Sequence, residues 1–294
     1  MVMGITIDEL LKQSVKYLAN HGVENSTVLD AQLILGHILK VDRLYLIVHK
    51  DEQLDAEAIE EYHNLLQLRV QGMPLQYITG IQEFMSLPFD ITADVLIPRG
   101  DTEILVEHII SKCKECRGND KISIMDIGTG SGCIAVSLAY YIGNSRVYAV
   151  DVSEKALDIA RKNAELNKVM GKVSFIQKDI LTGFPKLPTE EGADIIVSNP
   201  PYIKTDVIDT LQVEVKKYEP HLALDGGLDG LVFYRTIIQQ ADEHLRPGGL
   251  LAFEVGHDQS DQVVQLIEKT KMYKDIEVIK DLSGINRVVA ATKA

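Results

Sequence analysis

Asn199-Pro200-Pro201-Tyr202 closes a run of largely β-branched residues, Asp194 to Ser198, in this 294-residue chain. The run reads as a buried strand, and two prolines without an NH to donate must end it abruptly. Its polar tip is then held at the carboxyl end of a strand, where open α/β sheets bind their ligands. Asn199 precedes a proline and is biased to extended backbone, so the carbonyls of Asn199 and Pro200 lie in a segment that cannot continue the ladder. Together with the Asn199 amide oxygen they form a cluster of acceptors, suited to a planar NH2 group with two donors. Taken alone, a double proline reads as a strand-ending turn. The upstream sequence favours a site.

There, a strand from Ile122 to Ile127 runs into Asp126-Ile127-Gly128-Thr129-Gly130-Ser131-Gly132 and a helix from Ile134 to about Tyr141. Glycines at alternate positions let the backbone turn tightly and approach a ligand, with helix-end NH groups facing it. The next strand, Arg146 to Val150, ends at Asp151, whose carboxylate can accept from two ribose hydroxyls. The pair points to a nucleoside-bearing cofactor, held by Gly128, Thr129, Gly130, Ser131, Gly132 and Asp151. A helix from Ser153 to Asn167 and a strand from Val173 to Gln177 lead to Asp179 and Ile180. Asp179 could accept from the exocyclic amine of a base while Ile180 packs on its ring, although an isolated aspartate is more often a helix cap.

The elements that must position these residues follow from composition and periodicity. With 46% hydrophobic residues, 294 residues suffice for one large core and a smaller one, so two domains are expected. The formal charge of −13 disfavours nucleic acid as a partner. No apolar run reaches the roughly 18–20 residues of a membrane helix and the start lacks a basic leader, so no membrane partner and a cytoplasmic location are expected. Cys113-x-x-Cys116 has no second pair to complete a zinc site; with Cys133 these cysteines read as incidental, and no metal site is expected.

Residues 1–72 read as a small helical bundle. Thr6 caps a helix closed by Gly22, Ser26 or Thr27 caps a second that is apolar almost all round and must be buried between neighbours, and Asp55 to Val70 carries Ile59, Tyr62 and Leu66 on one face. The bundle is either a packing cap or a docking surface for a macromolecule. Gln71 to Pro74 breaks the pattern, opening a 73–98 linker with short extended segments around a turn at Ser86-Leu87-Pro88. Arg99, between Pro98 and Gly100, either points a fixed cation near the entry to the next helix or forms a surface ion pair, the commoner fate of an arginine. Beyond the Asn-Pro-Pro-Tyr tip, Leu224 to Gly230 reads as an ordered loop, Leu231 to Leu245 as a helix, Pro247-Gly248-Gly249 as a turn, and Leu250 to Val255 as a strand. A helix over 258–271 and two closing strands, Asp275 to Lys280 and Asn286 to Ala291, complete an α/β domain, 99–294. Its sheet is mostly parallel with an antiparallel strand near one edge.

Asp126-x-Gly-x-Gly-x-Gly132, Asp151, Asp179 and Asn199-Pro200-Pro201-Tyr202, in this order, resemble the S-adenosylmethionine-dependent methyltransferases that modify amino groups. More narrowly, the chain resembles the HemK/PrmC family of release factor glutamine N5-methyltransferases. The similarity runs through Pro74 to Gly80, Ile97-Pro98-Arg99, Thr102-Glu103, Glu219 to Gly230, Glu254 to Gln259 and Gly284 to Arg287. The resemblance implies a seven-stranded Rossmann-like sheet with one antiparallel strand beside the N-terminal bundle, S-adenosylmethionine as cofactor, and class I peptide chain release factors as partners. It also implies the glutamine of their Gly-Gly-Gln loop as the target. The family commonly reads Pro-Glu-Thr-Glu after Pro-Arg, where this chain has Gly100-Asp101-Thr102-Glu103.

On this reading the Asn199 side-chain oxygen, adjacent to the cofactor as well, and the Pro200 carbonyl accept the two NH bonds of the glutamine. Pro201 completes the substrate contacts and Tyr202 walls the pocket. Two rival readings share the same residues: a DNA or RNA methyltransferase acting on an exocyclic base amine, and a non-enzymatic, cofactor-sensing binding protein.

Overall fold

A computed structural model of the chain describes residues 4–23, 26–115, 121–188 and 192–294. Two compact units share it, Met1–Ile81 with Gln212–Tyr218, and Gln82–Leu211 with Glu219–Ala294. The first unit opens with α1 (Ile7–Asn20), α2 (Thr27–Leu39), α3 (Arg43–Val48), α4 (Ala56–Val70) and α5 (Leu75–Thr79). Thr6 and Glu9 form a reciprocal capping box at α1, and Asp42 and Asp55 cap α3 and α4. Ile7, Leu10, Leu18, Ile34, Leu35, Tyr62 and Leu66 make the core of this unit. The helix α2 is not buried all round as its composition implied. Ala31, Ile34 and Leu35 are covered, whereas Val28 and Leu29 in its first turn are exposed, because a unit this small covers one stripe of a helix rather than its circumference. The helix α5 lies where the sequence predicted linker.

A hairpin follows, β1 (Ile81–Phe84) and β2 (Leu87–Asp90), of which all but Ile81 belongs to the second unit. Its turn falls at Met85 and Ser86, one to two residues before the predicted position, with φ of 51° and 56°. Two left-handed central residues match the twist of a two-residue hairpin, which seats Phe84 and Phe89 inward at a ring separation of 6.0 Å. Then follow α6 (Gly100–Glu115), β3 (Ile122–Ile127), α7 (Cys133–Tyr141), β4 (Ser145–Asp151), α8 (Glu154–Leu166), β5 (Val173–Gln177) and β6 (Ala193–Ser198). After α9 (Val213–Tyr218), which belongs to the first unit, come α10 (Val232–His244), β7 (Leu245–Glu254), α11 (Ser260–Thr270), β8 (Tyr273–Lys280) and β9 (Asn286–Lys293).

The sheet has seven strands in the order β5-β4-β3-β6-β7-β9-β8. The first five are parallel, and β9 runs antiparallel to both neighbours. Chain progression moves outward on one side from β3 and on the other from β6, so the switch point lies between them. Crevices for ligands open at the carboxyl ends of such a pair. Pro247-Gly248-Gly249, predicted as a turn before the strand, instead lies inside β7: Leu245 already pairs with Ala193, and pairing resumes at Leu250 opposite Ile195. The strand begins early because Leu245 is itself buried, and residues 246–249 loop out between the two pairs.

Within the first unit, Arg69 joins the separate pieces of chain. Its guanidinium donates to Asp30 at 2.6 Å, to Glu214 of α9 at 2.5 Å and to the Met73 carbonyl at 3.2 Å.

Candidate active site

One cavity opens at the carboxyl ends of β3 and β6. Gly128 and Gly130 line it from the turn after β3, Asp151 from the end of β4, Asp179 and Ile180 from beyond β5, and Asn199, Pro200 and Pro201 from beyond β6. Gly128, Gly130 and Gly132 have φ of 73°, 54° and 80°, which only glycine adopts without strain. The Gly130 NH donates to one Asp151 oxygen at 2.9 Å and the Ser153 NH to the other at 2.9 Å. Each oxygen keeps a further lone pair for a hydroxyl donor. Burial pushes the Asp151 carboxyl up, against the opposing pull of these backbone NH groups.

Asp126, one residue before cavity-lining Ile127, is fully buried. Burial pushes its carboxyl up to about 7, with the Thr129 hydroxyl, 2.6 Å from Oδ2, and the Ala135 backbone NH acting in the opposite sense. Its Oδ1 accepts no hydrogen bond among the described residues. An orphaned buried acceptor beside a cavity is an opening for a donor carried by a ligand, a cationic one above all. Asp179 lines the cavity while its Oδ1 caps the Leu181 NH at 2.9 Å.

Four predicted residues stand behind the cavity wall rather than in it. The Thr129 hydroxyl orients Asp126; the Ser131 carbonyl accepts from Asn163 at 2.8 Å; and a Cβ on Gly132 would come within 2.9 Å of the Ala160 Cβ, so its glycine lets α7 approach α8. The Tyr202 ring packs against the main core, and its hydroxyl faces Glu254 at 3.5 Å. Asn199 stays in the wall. Its NH2 group donates to the Thr102 hydroxyl at 3.1 Å, and that hydroxyl donates to Glu254 Oε2 at 2.5 Å.

Residues 9–80 match the PrmC N-terminal domain family, and residues 119–291 match a methyltransferase domain family. The release factor glutamine methyltransferase of Clostridium botulinum is 42% identical over 265 residues, which cover 90% of this chain and 92% of that protein. That of Moorella thermoacetica is 41% identical over 287 residues, 98% of each chain. The chain belongs to the release factor glutamine methyltransferase family.

Membership in the release factor glutamine methyltransferases gives the second unit its chemistry, the handling of a methyl donor. Among solved structures, the hMettl16 catalytic domain, in complex with the MAT2A 3'UTR hairpin 6, superposes on 78% of this chain and 81% of that one, with a TM-score of 0.53 and 16% identity. At that identity the likeness is one of fold. Sequence reasoning missed Asp94, Val95, Leu96, Leu222 and Phe233, which also line the cavity of this release factor glutamine methyltransferase family member. Asp94, Val95 and Leu96 come from the segment after β2, Leu222 from a short 3-10 turn and Phe233 from the first turn of α10, and none of these carries a motif.

It missed the support of the acceptor loop as well. Gln259 Nε2 donates to the carbonyls of Tyr202 at 2.9 Å and Gly230 at 3.3 Å, and a Cβ on Gly226 would lie 2.7 Å from the Tyr202 Cα. The glycines of the 224–230 loop therefore let it lie directly on the Asn-Pro-Pro-Tyr segment. Arg99 is more than a surface ion pair, since its partner Glu219 has a side chain only 1% exposed. Cys133 is a half-buried cysteine whose thiol is pushed up to about 12 by burial and then by Asp126; Cys113 is half-buried, and Cys116 lies outside the described residues. Among the described residues no group of three or more His, Cys, Asp or Glu could hold a metal ion, and no helix is long and apolar enough to cross a membrane.

Proposed function

We propose that this chain transfers a methyl group from S-adenosylmethionine to the side-chain amide nitrogen of the glutamine in the Gly-Gly-Gln motif of class I peptide chain release factors. The observation that carries the reading is the Asn199 amide in the cavity wall: Thr102 engages its NH2, which leaves its oxygen as an acceptor. Family membership supplies the substrate class. S-adenosylmethionine, when bound, supplies an electrophilic sulfonium methyl group. Asp151 would take the ribose hydroxyls, Asp179 and Ile180 the base, and Asp126, with one buried oxygen unpaired, a cationic donor.

An amide nitrogen is a poor nucleophile because its lone pair is delocalised, so the protein must orient it before it can react. Asn199 Oδ1 and the Pro200 carbonyl would accept its two NH bonds. Both bonds strengthen as the nitrogen pyramidalises and gains positive charge, which favours the transition state over the ground state. No strong base is assigned, since the proton turns acidic only as the methyl arrives. Docking of the intact factor is assigned to the first unit, where Leu44, Ile47 and Val48 of α3 are exposed at helical spacing.

Peptide-mapped mass spectrometry of an unmethylated class I release factor, incubated with the protein and S-adenosylmethionine, tests the reading. A single added methyl on the Gly-Gly-Gln glutamine is expected; an unmodified factor, with protein folded and cofactor bound, overturns it. Asn199→Ala should slow transfer by about 100-fold or more while S-adenosylmethionine affinity, measured by calorimetry, changes by no more than about threefold.

A further inference from the structure

Asn199 can serve as an acceptor only if its amide is turned the right way, because its two ends have the same shape and opposite hydrogen-bonding character. Two side chains from distant parts of the chain decide which way it turns. Thr102, at the start of α6, has one hydroxyl proton, and Glu254, at the end of β7, takes it at 2.5 Å. With that proton committed, the Thr102 oxygen can only accept toward Asn199, and only the NH2 end of the amide can meet it. All three side chains lie in the second unit. Thr102 and Glu254 are buried, so water does not compete for the pair.

We infer that Glu254, acting through Thr102, is a positioning residue that fixes the amide orientation of Asn199, so that an oxygen and not an NH2 faces the target nitrogen. This rests on the assignment of Asn199 as the acceptor for the substrate amide. The relay depends on the charge of Glu254. A protonated Glu254 can donate to Thr102, whose own proton is then free to turn toward Asn199. The amide must rotate to receive it, and its NH2 end then meets the substrate NH groups, donor against donor.

The charged and titratable groups around Glu254 come from every element packed on it. Asp101 on α6 disfavours its ionisation and Arg287 on β9 favours it, these two being themselves paired at 3.0 Å. The Tyr202 hydroxyl faces the carboxylate, the Tyr234 hydroxyl of α10 bonds the Glu254 carbonyl at 2.9 Å, and the Cys133 thiol feels the charge. Burial outweighs them and pushes the carboxyl up to about 7. Proton uptake by Glu254 thus lies within reach of ordinary assay conditions, with the active orientation on the alkaline side.

Two readouts test the relay in the full-length protein. The first needs no substrate: in protein labelled with 15N-asparagine, the Asn199 side-chain NH2 resonance, assigned by its loss in Asn199→Ala, should shift with a midpoint near pH 7 in the wild type. It should stay still in Glu254→Gln. A wild-type resonance that does not titrate, or one that titrates equally in Glu254→Gln, overturns the inference even if release factors prove not to be the substrate.

The second is kinetic. Thr102→Val should lower kcat by about 10–100-fold with KM for S-adenosylmethionine within about twofold, and Thr102→Ser should restore most of the loss. The acid limb of the wild-type kcat profile should disappear in Glu254→Gln. A Thr102→Val protein with wild-type kcat sinks the relay and leaves the assignment of the substrate standing, whereas failure of the wild type to methylate a release factor strikes at that assignment alone.

Discussion

Asp126 and Glu254 are buried carboxyl groups that burial pushes up to about 7. In the unfolded chain both would ionise near 4, so between about pH 4 and about pH 7 the folded state keeps protons that the unfolded state has lost. Their contribution to stability is fully present below the unfolded values and is lost as pH rises through the folded ones. Without cofactor, urea unfolding should therefore give a higher stability at about pH 5 than at about pH 8 from these groups. Asp126→Asn, neutral throughout, should shrink that difference by about 1–3 kcal/mol, and an unchanged difference would show that Asp126 titrates normally. The sequence made Asn199 conspicuous because two prolines mark it. Thr102 and Glu254 were invisible as its partners: each carries an ordinary polar side chain, Thr102 stands 97 residues from Asn199, and Glu254 stands 152 residues from Thr102.

At the scale of elements, the parallel strands were the most legible features. The strands β3 and β5 span the predicted ranges; β3, central in the sheet, is buried almost throughout, whereas β5 at the edge is half-buried or exposed beyond Val173. Features set by backbone twist were not legible. Met85 and Ser86 carry no residue typical of a left-handed turn, and the loop-out inside β7 is fixed by the pairing of Leu245 with Ala193. The helix α6 opens on Gly100, the position at which the resemblance implies proline. Gly100 is the first helical residue, where an NH has no intrahelical partner, and a Cβ there would meet nothing within 4 Å. Gly100→Pro is expected to raise stability by about 0.4–1 kcal/mol through a less flexible unfolded chain, with transfer activity unchanged; thermal unfolding and the methylation assay check the two halves.

At the scale of the whole molecule, the chain is not divided where its sequence pattern breaks. Residues 212–218 leave the second unit and complete the first, held there by Arg69, whose side chain is 10% exposed against 3% for Asp30. Arg69→Met keeps the aliphatic bulk and strands Asp30 without its cation, so a loss of about 3–5 kcal/mol is expected in denaturant unfolding. A loss under about 1 kcal/mol would mean that the network is solvated. The sequence by itself determined the local chemistry of the site: prolines that end β6, glycines that take left-handed backbone after β3, and acids at the ends of β4 and β5. These are properties of single residues and their neighbours, and they hold wherever the strands end up. Only the tertiary structure decided that β6 lies beside β3, that the 224–230 loop rests on Tyr202, and that Thr102 and Glu254 orient Asn199. The reason is physical: strand order and loop contact arise from hydrogen bonds and packing between segments far apart in the chain, and no local propensity specifies which distant partner a given edge or polar side chain will meet.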